Sequence, residues 1–125
     1  MGMTGTRAKR LTVYLGEGMK WQGMALYHAL VLELKAAGLA GVTVVRGIEG
    51  YGKRKQLYAS RLLELSADLP VLVEAVDSPE KINAVLPRVR EMVQQGLITL
   101  ADVEIISSAG TASNKENSPG PGRRA

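Results

Sequence analysis

A switch between two hydrophobic periods along the chain is the feature that most constrains its fold. Leu11, Val13 and Leu15 recur at every second residue, as in a strand with one buried face. From residue 21 to residue 37 the apolar residues recur every three or four positions, which is typical of an amphipathic helix. The same reasoning continues to the end of the apolar sequence. It predicts strand, helix, strand, strand, helix, strand over residues 9–15, 21–37, 42–48, 69–76, 79–96 and 99–106.

This order predicts an α+β domain with the ferredoxin-like βαββαβ arrangement. We expect a four-stranded antiparallel sheet with two helices on one face. In the third strand, Leu72 and Val76 would lie opposite to Val71, Val73 and Ala75. An apolar second sheet face on so small a domain predicts that the chain assembles with copies of itself.

Local sequence signals define the start of the second helix more precisely than that of the first. Ser78 or Asp77 can cap its start, and Pro79 suits the first helical position, which needs no N–H donor. Pro87 lies inside the apolar stripe and is expected to kink the helix. A short helical turn is predicted over residues 61–65.

Composition limits the classes of function. The chain has no cysteine, which excludes disulfides and thiolate metal sites and fits a reducing compartment. Its apolar runs are too short to cross a bilayer, and no continuous apolar segment of a secretory signal follows the first residues. We therefore expect a cytoplasmic protein without membrane insertion.

The net charge of +4 is concentrated near the ends of the chain. Residues 11–106 carry 10 Lys or Arg against 11 Asp or Glu, a net charge of −1, so the remaining residues carry +5. A nucleic-acid-binding module usually has a basic face on its folded body, so nucleic acid is not the favoured partner. Residues 1–8 and 107–125 are rich in small and polar residues, which predicts disordered tails around a domain at 9–106.

The segment that most resembles a ligand site is Arg46-Gly47-Ile48-Glu49-Gly50-Tyr51-Gly52-Lys53-Arg54-Lys55. Glycines allow backbone N–H groups to approach an anion and can adopt positive φ, and the cations that follow would bind phosphate. Spacing alone equally fits a soluble loop between two strands. The candidate ligand-binding residues are Arg46, Gly47, Gly50, Gly52, Lys53 and Arg54.

Other residues give no sign of catalysis or of a metal site. His28 is the only histidine, so a metal would depend on carboxylates for its other ligands. Ser60 and Ser66 lack the surroundings of a nucleophile, and Trp21 is interpreted as a packing anchor. RNA-recognition modules share this order of elements, but the chain has no Phe for their stacking positions. We therefore expect no enzyme, no metal and no obligatory cofactor.

Four segments carry a family resemblance that spans about residues 9–106. They resemble the PII-like family labelled domain of unknown function 190, which is related to the PII nitrogen-regulatory signal-transduction proteins. The segments are Tyr14-Leu15-Gly16-Glu17, Gly41-Val42-Thr43-Val44-Val45-Arg46-Gly47-Ile48-Glu49-Gly50-Tyr51-Gly52, Leu65-Ser66-Ala67-Asp68-Leu69-Pro70-Val71 and Gly96-Leu97-Ile98-Thr99-Leu100-Ala101-Asp102-Val103-Glu104.

The resemblance implies a homotrimer that binds an adenine nucleotide (AMP, ADP or ATP) in clefts between subunits. It also implies a relay to a transporter, channel or enzyme through the loop after the second strand. The segment from Gly50 through Gly52, Lys53 and Arg54 is similar to the base of that loop, where PII proteins bind phosphate.

Two departures from the PII pattern narrow this expectation. The connection before the last strand, around Gln95-Gly96-Leu97-Ile98, has no cation, which favours a smaller anion than a triphosphate. The loop at 53–66 is shorter than its PII counterpart, and Leu57-Tyr58-Ala59 replaces an Ile-His-Thr-like run of many family members. The leading hypothesis is a trimeric nucleotide sensor. The alternatives are an adaptor trimer without a ligand and, less favoured, a nucleic-acid binder acting through its basic tails.

Overall fold

The computed structural model describes residues 5–51, 57–59 and 68–107, of which 57–59 are described by their backbone alone. In these ranges the chain forms two helices, four long strands and two short hairpins. In chain order they are β1 (Thr6–Gly16), β2 (Lys20–Trp21), β3 (Met24–Ala25), α1 (Leu26–Ala36), β4 (Val42–Arg46), β5 (Glu49–Tyr51), β6 (Leu57–Ala59), β7 (Pro70–Asp77), α2 (Pro79–Met92) and β8 (Leu97–Ile105).

The four long strands form one antiparallel sheet in the order β4-β7-β1-β8. β1 is central, and it pairs with β7 from Lys9 opposite Asp77 to Gly16 opposite Pro70. Its other edge pairs with β8. The prediction of a ferredoxin-like α+β fold is therefore confirmed.

The core lies between the helices and one face of the sheet. Alternate residues of β1 and β7, including Leu11, Val13 and Val73, are buried there against residues of both helices. Leu30 of α1 and Ile82 of α2 have no exposed surface. Burial of these aliphatic side chains drives the two helices onto the same sheet face, as the strand and helix periods predict.

The first helix begins five residues later than predicted, and its expected start at Trp21 is wrong. Residues 20–25 instead form the hairpin of β2 and β3, with Trp21 opposite Met24. The turn residues Gln22 and Gly23 have φ of 50° and 88°. Two consecutive positive φ values are typical of the tight turns that fit the twist of a two-residue hairpin.

Strand boundaries also differ from the prediction at the N-terminal side. β1 begins at Thr6, so residues 6–8, which the composition predicts to be part of a tail, belong to a strand paired with β8. Arg7, Lys9 and Arg10 therefore belong to the sheet. Lys9 Nζ lies 2.6 Å from Oδ1 of Asp102 on β8, so part of the charge attributed to the tails is neutralised within the domain.

The second helix follows its local signals closely. The Ser78 hydroxyl oxygen accepts a 3.2 Å hydrogen bond from the N–H of Lys81, which makes Ser78 the cap, and Pro79 is the first helical residue. Asp77 instead accepts hydrogen bonds from the N–H groups of Ser78 and Ala40. The helix continues past Pro87 to Met92.

The second face of the sheet carries an apolar patch that is exposed in the single chain. Tyr14, Val45 and Leu97 are on this face, and 42%, 51% and 57% of their surfaces are exposed. Leu72, opposite both Tyr14 and Val45, lies between them. Among the described residues, no helix has the length and hydrophobicity needed to cross a bilayer.

Candidate functional site

The candidate site begins where β4 ends and the chain turns at Gly47. The Gly47 N–H donates a 2.7 Å hydrogen bond to the carbonyl of Pro70, the first residue of β7. A β-carbon on residue 47 would lie 2.8 Å from Cγ of Pro70, which is too close for any side chain. Gly47 is therefore required for the close approach of two strands at this corner.

Gly50 lies in the hairpin that follows the corner. It is the middle residue of β5 and pairs with Tyr58 of β6. A β-carbon there would lie 3.6 Å from Cγ of Pro70, an ordinary contact distance. Among the described glycines only Gly23 and Gly38 have positive φ, so Gly47 and Gly50 do not use the positive φ that glycine permits.

Arg46, the last residue of β4, forms an ion pair that the sequence did not reveal. Its Nη2 donates to Oε2 of Glu17 over 2.6 Å. The side chain of Arg46 is 56% exposed and that of Glu17 is 26% exposed. The guanidinium therefore keeps a solvent-facing side next to the glycine corner, while the carboxylate is the more enclosed partner.

Both ends of the segment between β4 and β7 are attached to the turn after β1. Glu17 receives Arg46 at one end, and its own N–H donates a 2.8 Å hydrogen bond to the carbonyl of Leu69 at the other. The N–H of Gly18 donates to Oδ1 of Asp68 over 2.5 Å. Glu17 and Gly18 thus connect the two ends of the segment that contains the glycine-rich motif.

The rest of the predicted motif lies mostly outside the described residues. Gly52, Lys53 and Arg54 lie outside the described residues, as does the helical turn predicted at 61–65. Within the 53–66 loop, residues 57–59 form β6. The structure therefore brings Arg46, Gly47 and Gly50 to one corner of the sheet and leaves the positions of the other three candidates as a prediction.

The connection between α2 and β8 reaches the same end of the sheet. It consists of residues 93–96, and Gly96 packs against β1, where a β-carbon would lie 2.7 Å from the carbonyl oxygen of Tyr14. This short connection contains Val93, Gln94, Gln95 and Gly96, so it has no Lys or Arg to add to an anion site.

Trp21 is a packing residue, as its position in the sequence predicts. It is partly buried against the core, and the guanidinium of Arg88 lies 5.4 Å from the centroid of its ring. Glu91 and Glu33 accept hydrogen bonds from Arg88 and raise its pKa above the ordinary value. This cluster joins the hairpin to both helices at the surface of the domain.

Other ionisable groups of the described residues are not gathered into a metal-binding cluster. His28 is exposed on α1. No group of three or more His, Cys, Asp or Glu side chains in the described ranges is placed to hold a metal ion.

Comparison with known proteins agrees with this architecture. The sequence profile of the family labelled domain of unknown function 190, described as Uncharacterized ACR, matches residues 8–105. A UPF0166 protein of Aquifex aeolicus is 40% identical over 100 residues, which cover 80% of this chain and 94% of that protein. A UPF0166 protein of Methanocaldococcus jannaschii is 41% identical over 100 residues, or 79% and 92% of the two chains.

Solved structures with the same fold are more distant in sequence. The nitrogen regulatory PII-like protein CPII of Thiomonas intermedia, bound to ADP, AMP and bicarbonate, matches with a TM-score of 0.66 at 18% identity. The match covers 85% of this chain and 94% of CPII. A candidate PII-like signalling protein of Thermus thermophilus matches with a TM-score of 0.59 at 18% identity, covering 83% and 94% of the chains.

Proposed function

Because this chain belongs to the PII-like family labelled domain of unknown function 190, we propose that it is a non-enzymatic, cytoplasmic regulatory protein. In this proposal a homotrimer binds an adenine nucleotide (AMP, ADP or ATP) in clefts between its subunits. The bound nucleotide alters the segment after β4 and thereby the affinity for a partner, which is a transporter, a channel or an enzyme.

The corner formed by Arg46, Gly47 and Pro70 is the observation that carries the proposal. Gly47 brings the backbone of β4 against β7 without an intervening side chain, and the half-exposed guanidinium of Arg46 supplies positive charge beside it. A planar guanidinium with several N–H donors suits the oxygen atoms of a phosphate. In the sequence Gly52, Lys53 and Arg54 follow after a few residues and would extend the same site.

The apolar sheet face supports assembly. A small domain that leaves Tyr14, Val45 and Leu97 exposed on one face gains free energy by covering that face with another copy. Clefts between subunits then form at the edges of the sheet, and the corner at Gly47 lies at the junction of edge strand β4 with β7.

The distribution of positive charge around the site favours a nucleotide with few phosphates. The connection of residues 93–96 reaches the same end of the sheet but offers no cation to a distant phosphate. The presence of ADP and AMP in CPII, which shares the fold, supports an adenine nucleotide as the ligand class. We therefore expect AMP or ADP to bind more tightly than ATP.

Regulation requires that the ligand favours one arrangement of the segment after β4 over another, because a ligand with equal affinity for both arrangements shifts no equilibrium. The hydrogen bonds of Arg46 with Glu17 and of Asp68 with Gly18 join both ends of this segment to the turn after β1. A phosphate bound at Arg46 would directly affect the first of these two contacts, the ion pair with Glu17.

Calorimetric titration of the assembled protein with AMP, ADP, ATP and cyclic AMP tests the proposal. We expect binding of at least one nucleotide and a loss of about ten-fold or more in the variant Lys53→Ala/Arg54→Ala, because a charge-assisted hydrogen bond contributes about 1.5–3 kcal/mol. The matched control is Lys35→Ala/Arg90→Ala, which removes two exposed cations from the helices. A well-folded trimer that binds none of the four nucleotides would instead be an adaptor without a ligand.

A further inference from the structure

The guanidinium that the proposed function assigns to an anionic ligand already has an anionic partner. Arg46 Nη2 lies 2.6 Å from Oε2 of Glu17. A phosphate that contacts Arg46 would bring at least one further negative charge to within a few ångströms of this carboxylate. Like charges at such distances repel, so Glu17 opposes the binding that Arg46 favours.

Hydrogen bonds hold the backbone at Glu17 and Gly18 in place. The Glu17 N–H is bonded to the carbonyl of Leu69, and the N–H of Gly18 is bonded to Asp68. The carboxylate side chain is only 26% exposed. Arg46, by contrast, is 56% exposed at the end of an edge strand, so its long side chain has more room to turn toward a ligand.

We propose that Glu17 is a specificity-determining residue that competes with the anionic ligand for Arg46. This inference rests on the proposed function, because it concerns the same anion site. A ligand whose charged group binds at Arg46 must displace Glu17 or share the guanidinium with it. Glu17 therefore lowers the affinity for every ligand that uses Arg46 and leaves unaffected any ligand that lacks the charged group.

A purely structural role for Glu17 makes the opposite prediction. If the carboxylate serves only to orient Arg46 toward the ligand, weakening the ion pair frees the guanidinium to adopt other rotamers and weakens binding. The sign of the change in affinity separates the two roles.

The substitution Glu17→Gln provides the test because it keeps the size of the side chain and one hydrogen-bond acceptor while it removes the charge. The ion pair is partly exposed, and the loss of a pair of this kind changes an equilibrium constant by about two- to five-fold. Titration of the trimer with ADP should therefore give a dissociation constant about two- to five-fold lower in Glu17→Gln than in the unaltered protein.

Glu49→Gln is the matched control. Glu49 is an exposed carboxylate at the start of β5, two residues after Gly47. Its replacement removes the same charge from the neighbourhood, so an equal gain in both variants would reflect general electrostatics and would overturn the inference. Phosphate-free adenosine should bind equally to Glu17→Gln and the unaltered protein.

The effect must also depend on Arg46. In a chain that carries Arg46→Gln, the further change Glu17→Gln should bring no gain in ADP affinity, and a gain in that background would overturn the inference. ADP binding that is unchanged or weaker in Glu17→Gln alone would overturn it and leave the proposed function intact. Absence of ADP, AMP and ATP binding in both the unaltered protein and Glu17→Gln would overturn the proposed function itself.

Discussion

Gly47 and Pro70 lie so close together that a β-carbon on residue 47 would be 2.8 Å from Cγ of the proline ring. The two residues are also joined by a 2.7 Å hydrogen bond from the Gly47 N–H to the Pro70 carbonyl. The bond holds the two strands together, and the ring leaves no space for a side chain. The position of the corner beside Arg46 therefore depends on glycine at residue 47.

We expect Gly47→Ala to destabilise the domain, whereas Gly50→Ala should be tolerated. The added methyl at 47 must displace the proline ring or the strand, and overpacking of this kind costs about 1–3 kcal/mol. At residue 50 the same methyl would meet Cγ of Pro70 at 3.6 Å, where it fits. Chemical denaturation of the two variants measures the difference, and equal stability would contradict the role assigned to Gly47.

The apolar sheet face formed by Tyr14, Val45 and Leu97 should be required for assembly. Tyr14→Glu places a charge on that face and should reduce the trimer to monomers, because a buried unpaired carboxylate opposes association. Leu32→Glu is the control, since Leu32 is 45% exposed on α1 and Tyr14 is 42% exposed on the sheet. Light scattering after size-exclusion chromatography gives the masses. A trimer that survives Tyr14→Glu and is lost in Leu32→Glu would place the interface on the helical face.

Replacement of Arg88 should change the environment of Trp21. The guanidinium lies 5.4 Å from the centroid of the ring and is held by Glu33 and Glu91. Arg88→Ala removes the cation and its aliphatic stem from the ring, so we expect a red shift of the emission as water gains access. Trp21 is the only tryptophan, so its fluorescence reports this site alone. Arg90→Ala, an exposed cation on the same helix, should leave the emission unchanged.

Acid stability should depend in part on the pairing of Asp102 with Lys9. The hydrogen bond and charge of Lys9 hold the pKa of Asp102 below its ordinary value. The pair therefore contributes stability above the pKa of Asp102 in the unfolded chain, about 4, and loses this contribution as the pH falls through the lower folded-state pKa. Carboxyl NMR titration should show the pKa of Asp102 rise in Lys9→Met. An unchanged pKa would contradict the pairing in solution.

The fold could be predicted from the sequence because its strands and helices have distinct hydrophobic periods. The start of α1 could not be predicted in the same way, because Trp21 and Met24 are spaced like residues on one side of a helix. The hairpin instead places this pair across from each other on adjacent strands. The dipeptide Gln22-Gly23 is a turn signal, but the apolar residues on both sides of it have helical spacing, which favours one continuous helix.

The candidate site was predictable only in its local part. The glycines and cations are adjacent in the sequence, so their pattern could be recognised. Glu17 and Arg46 are 29 residues apart in the sequence. Their contact exists only because the last residues of β1 and of β4 both pair with the first residues of β7. The role of Gly47 likewise depends on Pro70, a residue of another strand, which a single sequence does not place beside it.

The pairing of Thr6 with Ile105 has a practical consequence for experiments on this protein. Both ends of the domain emerge side by side, at the opposite end of β1 from Gly16 and the glycine corner. Eleven residues of extended strand separate the two ends of β1, which corresponds to about 35 Å at the rise of a β-strand. An affinity tag, a fluorophore or a surface anchor joined to the domain next to Thr6 or Ile105 therefore starts far from the proposed nucleotide site, and protein immobilised there should keep that site open to solution.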